Sequence, residues 1–333
     1  MGKIMEQKQK KLKEYKAEQL PLPFVFLKPE PDYSNSIELY DAIPKYYWGR
    51  IAKAERKAGR FLDSLKREFA FRNALFHVRI SPARIEENGS DMDYFPGEKE
   101  EFVEAALRKM ACDGTGRFLD GKAGVIFTLS ELQRRLKGTG HSYSLDQIKK
   151  SIKICRGTQL ELESPDGKVA DSSSIFPRIG FKEDLNGQTR CYVVFNELVT
   201  VSIKHDSYRL MNYTKYMSLD SSLSRYLHMR MSHMFRQADW TRTYDITLST
   251  LLRDSGKGQY TELRNSLRET NKALDELKDK CVIADYTSER IKNGRKTVDV
   301  KFSLKPHREF IRDTIKANGV KKESRLKKVR PTP

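Results

Sequence analysis

Four consecutive segments indicate the fold of this chain. They are ITLSTLLRDSG (246–256), QYTELRNSLRETNKALDELKDK (259–280), VIADYTSERI (282–291) and TVDVKFSL (297–304). The first predicts a short helix that ends at Gly256, and the second predicts a long helix. The last two alternate apolar and polar residues around an Asn-Gly turn, which is a strong hairpin signal. A helix capped by Ser221 or Ser222 precedes them, with an apolar face made of Leu223, Leu227, Met231 and Met234. Helix, short helix, long helix and hairpin is the element order of a winged helix-turn-helix unit.

The same order of elements occurs earlier in the chain. LFHVRI (75–80) alternates as a strand does, and residues 96–110 place five apolar side chains at helical spacing. A short helix, capped by Thr128 or Ser130, is predicted over TLSELQRRLKG (128–138), and Ser144 caps a longer one over 145–156. Strands are then predicted over LELES (160–164), IFPRIGF (175–181) and CYVVFNELVTVSI (191–203), with a turn at Asn186-Gly187.

These patterns predict an α+β protein with two tandem winged helix-turn-helix domains, at 71–205 and 206–318. Residues 1–70 are expected to form a basic N-terminal arm and a helical or irregular extension. The helical pattern in that extension is carried by Tyr46, Tyr47, Trp48, Ile51, Phe61, Leu62, Leu65 and Phe69. Residues 319–333 are basic and lack core residues, so they predict a disordered tail.

The charge of the chain restricts its partners. It has 63 Lys and Arg against 45 Asp and Glu, a formal net charge of +18. Such an excess causes self-repulsion in a compact protein and is typical of proteins that bind a polyanion, with double-stranded DNA as the first candidate. No apolar run approaches the length of a membrane-spanning helix, and no signal peptide is evident, so no membrane partner is expected. The four cysteines lack metal-binding or redox spacing and are expected to be reduced.

The long helix at 259–280 has the pattern of a DNA recognition helix. Its apolar stripe is Leu263, Leu267, Thr270, Leu274 and Leu277. Arginine can contact guanine through two hydrogen bonds and asparagine can contact adenine in the same way, so donors on the opposite face are candidates for base recognition. Those candidates are Thr261, Asn265, Arg268 and Lys272, with Arg264 on the flank.

The equivalent helix of the first unit carries more lysine, which contacts phosphates without specifying sequence. Its candidate DNA-binding residues are Tyr143, Gln147 and Lys150, flanked by Lys149 and Lys153. The second wing adds Arg290, Lys292, Arg295 and Lys296, which are placed to contact phosphates or a minor groove. The competing interpretation is that both helices simply present solvated faces.

Catalytic signatures are not evident. The segment at 116–123 approximates a phosphate-binding loop, but Ala123 stands where Ser or Thr would hold magnesium. The six histidines are scattered, and the carboxylate pairs Glu86-Glu87 and Glu100-Glu101 are expected to be solvated. The sequence therefore predicts a protein that is not an enzyme and that has no metal site and no cofactor.

Three stretches resemble a known family: LFHVRIS (75–81), FTLSELQRRLKG (127–138) and MNYTKYMSLDSSLSRYLHMRMSHMF (211–235). The chain is similar over roughly residues 70–310 to the plasmid-encoded RepA-type replication initiators. That resemblance implies a cytoplasmic bacterial protein whose two winged-helix domains bind repeated DNA elements (iterons) at a plasmid origin. It also implies recruitment of the host initiator and replicative helicase, and a dimer that represses its own promoter alongside a monomer that opens the origin.

Two other functions stay open on sequence grounds. One is a winged-helix transcriptional repressor, and the other is a nuclease or primase with an unrecognised site. Binding to an array of direct repeats would favour the initiator over the repressor, whereas magnesium-dependent nicking or primer synthesis would favour the enzyme. The apolar residues before position 70 and the strand at 75–80 further predict a homodimer formed through the N-terminal half.

Overall fold

The computed structural model describes residues 30–49, 62–167, 169–183, 189–258 and 263–329. Its helices are α1 (Glu38–Ala42), α2 (Glu98–Met110), α3 (Leu129–Gly138), α4 (Leu145–Gly157), α5 (Glu197–Lys204), α6 (Tyr213–Met217), α7 (Ser222–Met234), α8 (Leu248–Asp254), α9 (Leu263–Asp279) and α10 (Arg308–Val329). Its strands are β1 (Tyr33–Ile37), β2 (Leu65–Phe71), β3 (Ala74–Ser81), β4 (Ala83–Glu87), β5 (Ser90–Tyr94), β6 (Gly116–Leu119), β7 (Lys122–Thr128), β8 (Gln159–Glu163), β9 (Val169–Ser174), β10 (Arg178–Glu183), β11 (Thr189–Val194), β12 (Tyr208–Asn212), β13 (Tyr244–Thr247), β14 (Ile283–Asn293) and β15 (Lys296–Pro306).

The first winged-helix unit consists of α2, α3 and α4 with an antiparallel sheet in the order β10-β11-β7-β6. The Thr128 side chain accepts a hydrogen bond from the Glu131 backbone, so Thr128 caps α3. Ser144 and Gln147 form a reciprocal capping box at the start of α4, as the sequence predicts for Ser144. The wing is the β10–β11 hairpin, and the Asn186-Gly187 turn predicted at its tip lies outside the described residues.

Strands from outside the unit build a second sheet in the order β2-β3-β8-β9. The strand predicted at 75–80 is confirmed as part of β3. The helix predicted through residue 70 is wrong over β2, where Phe69 is fully buried and pairs with Phe76. Leu65 and Phe69 satisfy helical and strand spacing alike, so periodicity could not separate the two. Ile51 and Phe61 lie outside the described residues.

Two further elements differ from the sequence expectation. Residues 197–204 form helix α5 rather than the end of a strand, because the Asn196 side chain accepts a hydrogen bond from the Leu198 backbone and caps a new helix. Their β-branched residues favour strand locally, and this cap together with burial of Val199 and Ile203 overrides that preference. Helix α10 continues to Val329, so residues 319–329 are helical although the sequence predicts a disordered tail there. The Lys, Arg and Glu of this segment have a high intrinsic helix propensity, which does not depend on contact with a hydrophobic core.

The second unit consists of α7, α8 and α9 with a sheet in the order β13-β15-β14. Its core joins the α7 face to the two following helices and to β15, through Leu223, Leu227, Met231, Leu251, Leu274, Leu277, Phe302 and Leu304. The Asp299 carboxylate of β15 accepts hydrogen bonds from the backbone and hydroxyl of Ser249, and so ties the wing to the start of α8. The α+β class and the tandem winged helices predicted from sequence are confirmed.

A buried ion pair connects the two units. The Arg225 guanidinium of α7 is fully buried and donates to Glu101 and Glu98 of α2, at 2.9 Å in each case. It also donates to the carbonyl oxygens of Leu219 and Asp220 and lies 4.6 Å from the centre of the Phe102 ring. Burial raises the pKa of Glu101, although its partner Arg225 opposes that rise. Breaking this pair would leave a charge buried without compensation.

Candidate nucleic-acid interface

Helix α9 is rotated slightly from the orientation that its apolar stripe predicts. Thr270, Leu274 and Leu277 are buried as expected, but Ser266 and Ala273 are buried with them. Leu263, at the start of the predicted stripe, is 37% exposed. Packing against α7 causes this rotation, because small residues let the two helices approach closely: the Ser224 hydroxyl donates to the Ala273 carbonyl oxygen at 3.0 Å.

The rotation changes which polar residues face outward. The exposed residues of α9 that line the groove beside the wing are Leu263, Arg264, Arg268, Asn271, Lys272, Asp275 and Asp279. Asn265, expected among them, is half-buried and already has an interaction partner. Thr261 lies outside the described residues. Asn271 was missed by the sequence analysis, although its i+3 and i+7 spacing from Arg268 and Arg264 places it on their side of the helix.

Five acidic residues line this groove: Asp220 and Asp279 are exposed, and the other three have partners. Glu276 accepts hydrogen bonds from the backbone of Asp220 and Ser221 at the start of α7. Glu269 pairs with Lys257 at 3.4 Å, and Asp275 accepts a hydrogen bond from the Tyr286 hydroxyl at 3.0 Å. The exposed cationic and amide side chains of α9 in this groove have no such partner among the residues that the structure describes. These are Arg264, Arg268, Asn271 and Lys272.

The wing extends the basic surface beyond the body of the domain. Strands β14 and β15 are eleven residues long and form ten residue pairs, and most of β14 after Ile283 is exposed, so the hairpin projects into solvent. Arg290 and Thr297 line the same groove as the outward face of α9. Lys292, Arg295 and Lys296 surround the turn, where Gly294 adopts a positive φ of 59°. All four predicted wing cations are exposed and none has an acidic partner among the described residues.

The candidate DNA-binding residues of helix α4 are less available for contact with DNA than those of α9. Lys150 pairs with Glu87 and its ammonium lies 4.0 Å from the centre of the Tyr94 ring, both on the β4–β5 hairpin that packs against α4. Burial lowers the pKa of Lys150, but the hydrogen bonds that its ammonium donates to Glu87 and Tyr94, together with the charge attraction of these two groups, outweigh burial and raise the pKa. The Lys149 ammonium lies 5.6 Å from the Phe181 ring of the wing. Tyr143 is half-buried, whereas Gln147 and Lys153 are exposed.

The segments weighed for catalysis have structural roles. Residues 116–123 form the β6–β7 hairpin, and Lys122 pairs with Glu197 at 3.0 Å. Glu100 and Glu101 are buried, against the expectation that they are solvated, because Glu100 accepts from the Gly97 backbone and Glu101 pairs with Arg225. His228 and His233 are buried, and burial lowers their pKa values to about 3 and about 4. Among the described residues, no helix is both long and apolar enough to cross a bilayer.

Comparison with known proteins finds similarity in structure alone. No protein family model and no curated protein sequence matches the chain. A structure of domains 2 and 3 of RctB aligns at 13% identity and a TM-score of 0.48, covering 80% of this chain and 96% of that one. A second structure of these RctB domains gives 13% and 0.45, with 84% and 99% covered. The Pi initiator protein in complex with iteron DNA gives 17% and 0.44, with 63% and 94% covered.

One of these neighbours, Pi, is named an initiator protein, and the family that the sequence resembles consists of replication initiators. These identities and TM-scores are too low to transfer a function.

Proposed function

We propose that this chain binds double-stranded DNA sequence-specifically, with α9 in the major groove and the β14–β15 wing along the adjacent backbone. The observation that carries the proposal is the outward face of α9. Arg264, Arg268 and Asn271 lie on it without partners among the described residues, next to a projecting hairpin with four exposed cations in its outer part. In a helix-turn-helix unit the recognition helix enters the major groove, and exposed cations on an adjoining hairpin can neutralise phosphates.

The residues of this surface would divide into two roles. Arg264, Arg268 and Asn271 carry the donors that can form paired hydrogen bonds with guanine or adenine. Lys272 and the wing cations Arg290, Lys292, Arg295 and Lys296 would contact phosphates and fix the register. In the first unit, Lys153 and Lys149 are the cations best placed for phosphate contact, and Lys150 is held by Glu87.

We propose further that the DNA is a set of repeated elements at a plasmid origin and that binding initiates replication there. The tandem arrangement supports this, because two winged helices in one chain can contact two neighbouring segments of one duplex. The resemblance to RepA-type initiators supports it too, and it also suggests the host initiator, the replicative helicase and a second copy of this chain as partners. The protein would act by binding, without catalysis and without a cofactor in the reaction.

The test begins with selection of bound sequences from random duplex DNA. Arg268→Ala and Asn271→Ala are then titrated on the selected site and on unrelated DNA. Each should cost roughly 1–3 kcal/mol on the selected site and far less elsewhere, because base contacts specify sequence. Arg79→Ala is the matched control, since Arg79 is an exposed arginine that pairs with Glu161 in the separate β2-β3-β8-β9 sheet. Equal losses on both DNAs, or none, would contradict the assignment of α9.

Two assays separate initiation from the alternatives. Binding to an array of direct repeats in preference to a single palindrome is expected of the initiator, and the reverse preference would favour a repressor. Purified protein should neither hydrolyse ATP nor nick supercoiled DNA. Turnover that survives repurification and disappears with a point mutation would defeat the proposal of a binding protein.

A further inference from the structure

Three potential metal ligands from separate elements meet where the recognition helix ends. Cys281 follows α9, whereas His307 and Glu309 lie at the start of α10, after the whole wing hairpin. One ligand atom of each residue lies within 4.8 Å of the other two, and all three residues are half-buried. The sequence predicts no metal site because these residues are far apart along the chain. The wing hairpin brings them together, because the end of β15 pairs with the start of β14.

The surrounding contacts orient these ligands. The Lys215 ammonium donates to one carboxylate oxygen of Glu309 at 2.8 Å and to the Cys281 carbonyl oxygen at 3.3 Å. The other Glu309 oxygen has no hydrogen bond within the described part of the chain. The His307 backbone donates to the Val282 carbonyl oxygen at 3.0 Å, which holds the histidine beside the cysteine. Partners of this kind fix the direction of metal ligands in known sites.

The backbone at Cys281 also needs an explanation. Its φ is +56°, in the left-handed region that helices usually fill with glycine or asparagine after their last turn. Cysteine has no advantage as a cap at this position. A role for the thiol would explain why this residue type occupies a conformation unfavourable to it.

We propose that Cys281, His307 and Glu309 bind a zinc ion, with water as the fourth ligand. Thiolate and imidazole together favour zinc over magnesium or calcium, which prefer oxygen ligands alone. Zinc binding would displace the thiol proton of Cys281, and the resulting thiolate and the Glu309 carboxylate would together balance the charge of the ion beside the Lys215 ammonium. The ion would join the C-terminal end of α9 to α10 and so fix the recognition helix against the rest of the domain.

The experiment uses the full chain, freed of metal with a chelator and kept reduced, and titrated with cobalt(II) as a spectroscopic substitute for zinc. We expect a thiolate-to-cobalt charge-transfer band and visible bands of a four-coordinate ion, saturating at one equivalent and displaced by zinc. Free zinc at a hundred times its dissociation constant should also lower the unfolding equilibrium constant by about 100-fold.

Variants locate the site. Cys281→Ser and His307→Gln should each abolish the charge-transfer band while circular dichroism stays that of the folded protein. His205→Gln is the control, because His205 is exposed and remote from the cluster in the chain, and it should bind cobalt like the unmodified protein. No thiolate band in the unmodified protein, or a band that persists in Cys281→Ser, would overturn the proposal. Sequence-specific DNA binding that survives without zinc leaves the proposed function standing whichever result is obtained.

Discussion

Replacing Arg225 with methionine should show how much the buried ion pair between the two units contributes to the free energy of unfolding. The side chain is fully buried and its guanidinium donates to Glu101, Glu98 and two backbone carbonyls. Methionine fills part of the volume and removes every one of these bonds. Within the described residues, the Glu101 carboxylate would keep the Tyr216 hydroxyl, 2.6 Å away, as its one hydrogen-bond partner.

The expected loss is about 3–5 kcal/mol of unfolding free energy, the usual cost of removing one partner of a buried ion pair. The contact with Glu98 adds little to this, because the Glu98 side chain is 55% exposed and solvent screens it. Burial already raises the pKa of Glu101 with Arg225 present, and without the arginine that pKa rises further. A carboxyl whose folded pKa is raised loses stability as pH rises, so Arg225→Met should be more destabilising at pH 8 than at pH 5.

Urea denaturation followed by tryptophan fluorescence is a suitable assay, because the Trp48 ring lies 5.6 Å from the Arg225 guanidinium. Arg72→Met is the control: Arg72 is 68% exposed and pairs with Glu38, and such surface pairs contribute about 0–1 kcal/mol. The double variant Arg225→Met with Glu101→Gln should recover part of the loss, since it removes the uncompensated charge. A loss no larger than that of Arg72→Met, or no recovery in the double variant, would refute this account of the junction.

Three further predictions concern DNA contacts, acid stability and the C-terminal segment. Lys153→Ala should reduce the slope of log binding constant against log salt concentration by about one unit on all DNA. Lys150→Ala should change that slope less, because Glu87 already neutralises Lys150. Equal slopes for the two variants, in titrations at several salt concentrations, would contradict this. Burial lowers the pKa values of His228 and His233 to about 3 and about 4 in the folded protein, against about 6.5 when unfolded. The free energy of unfolding measured in urea should therefore fall by about 1.4 kcal/mol per pH unit for each histidine as pH drops below about 6.5. A variant with both histidines replaced by glutamine should show a flatter dependence on pH. Deleting 319–333 should leave cooperative thermal unfolding intact and weaken binding to all DNA by similar factors, whereas loss of cooperative unfolding would show that this part of α10 is structural.

The elements that could be predicted from sequence are those specified by near neighbours. A cap such as Ser144 acts within three residues and the wing turn within a few, so the amino acids at these positions are sufficient to indicate them. Helical periodicity likewise located α2 and α9. The element order that defines each winged helix follows from such local signals. The net charge of +18 indicates, also from the sequence alone, a basic surface for a polyanionic partner.

Only tertiary structure decided which side chains are available at the surface. The small residues of α9 against α7 turned Asn271 outward and left Leu263 partly exposed, and the β4–β5 hairpin engaged Lys150. The buried pair of Arg225 with Glu101 joins residues 124 positions apart, and the wing brings Cys281 beside His307. Sequence could not predict these outcomes because the rotation of a helix and the partner of a charge depend on what packs against them. Those neighbours are distant in the chain, and periodicity specifies an apolar face without specifying what will cover it.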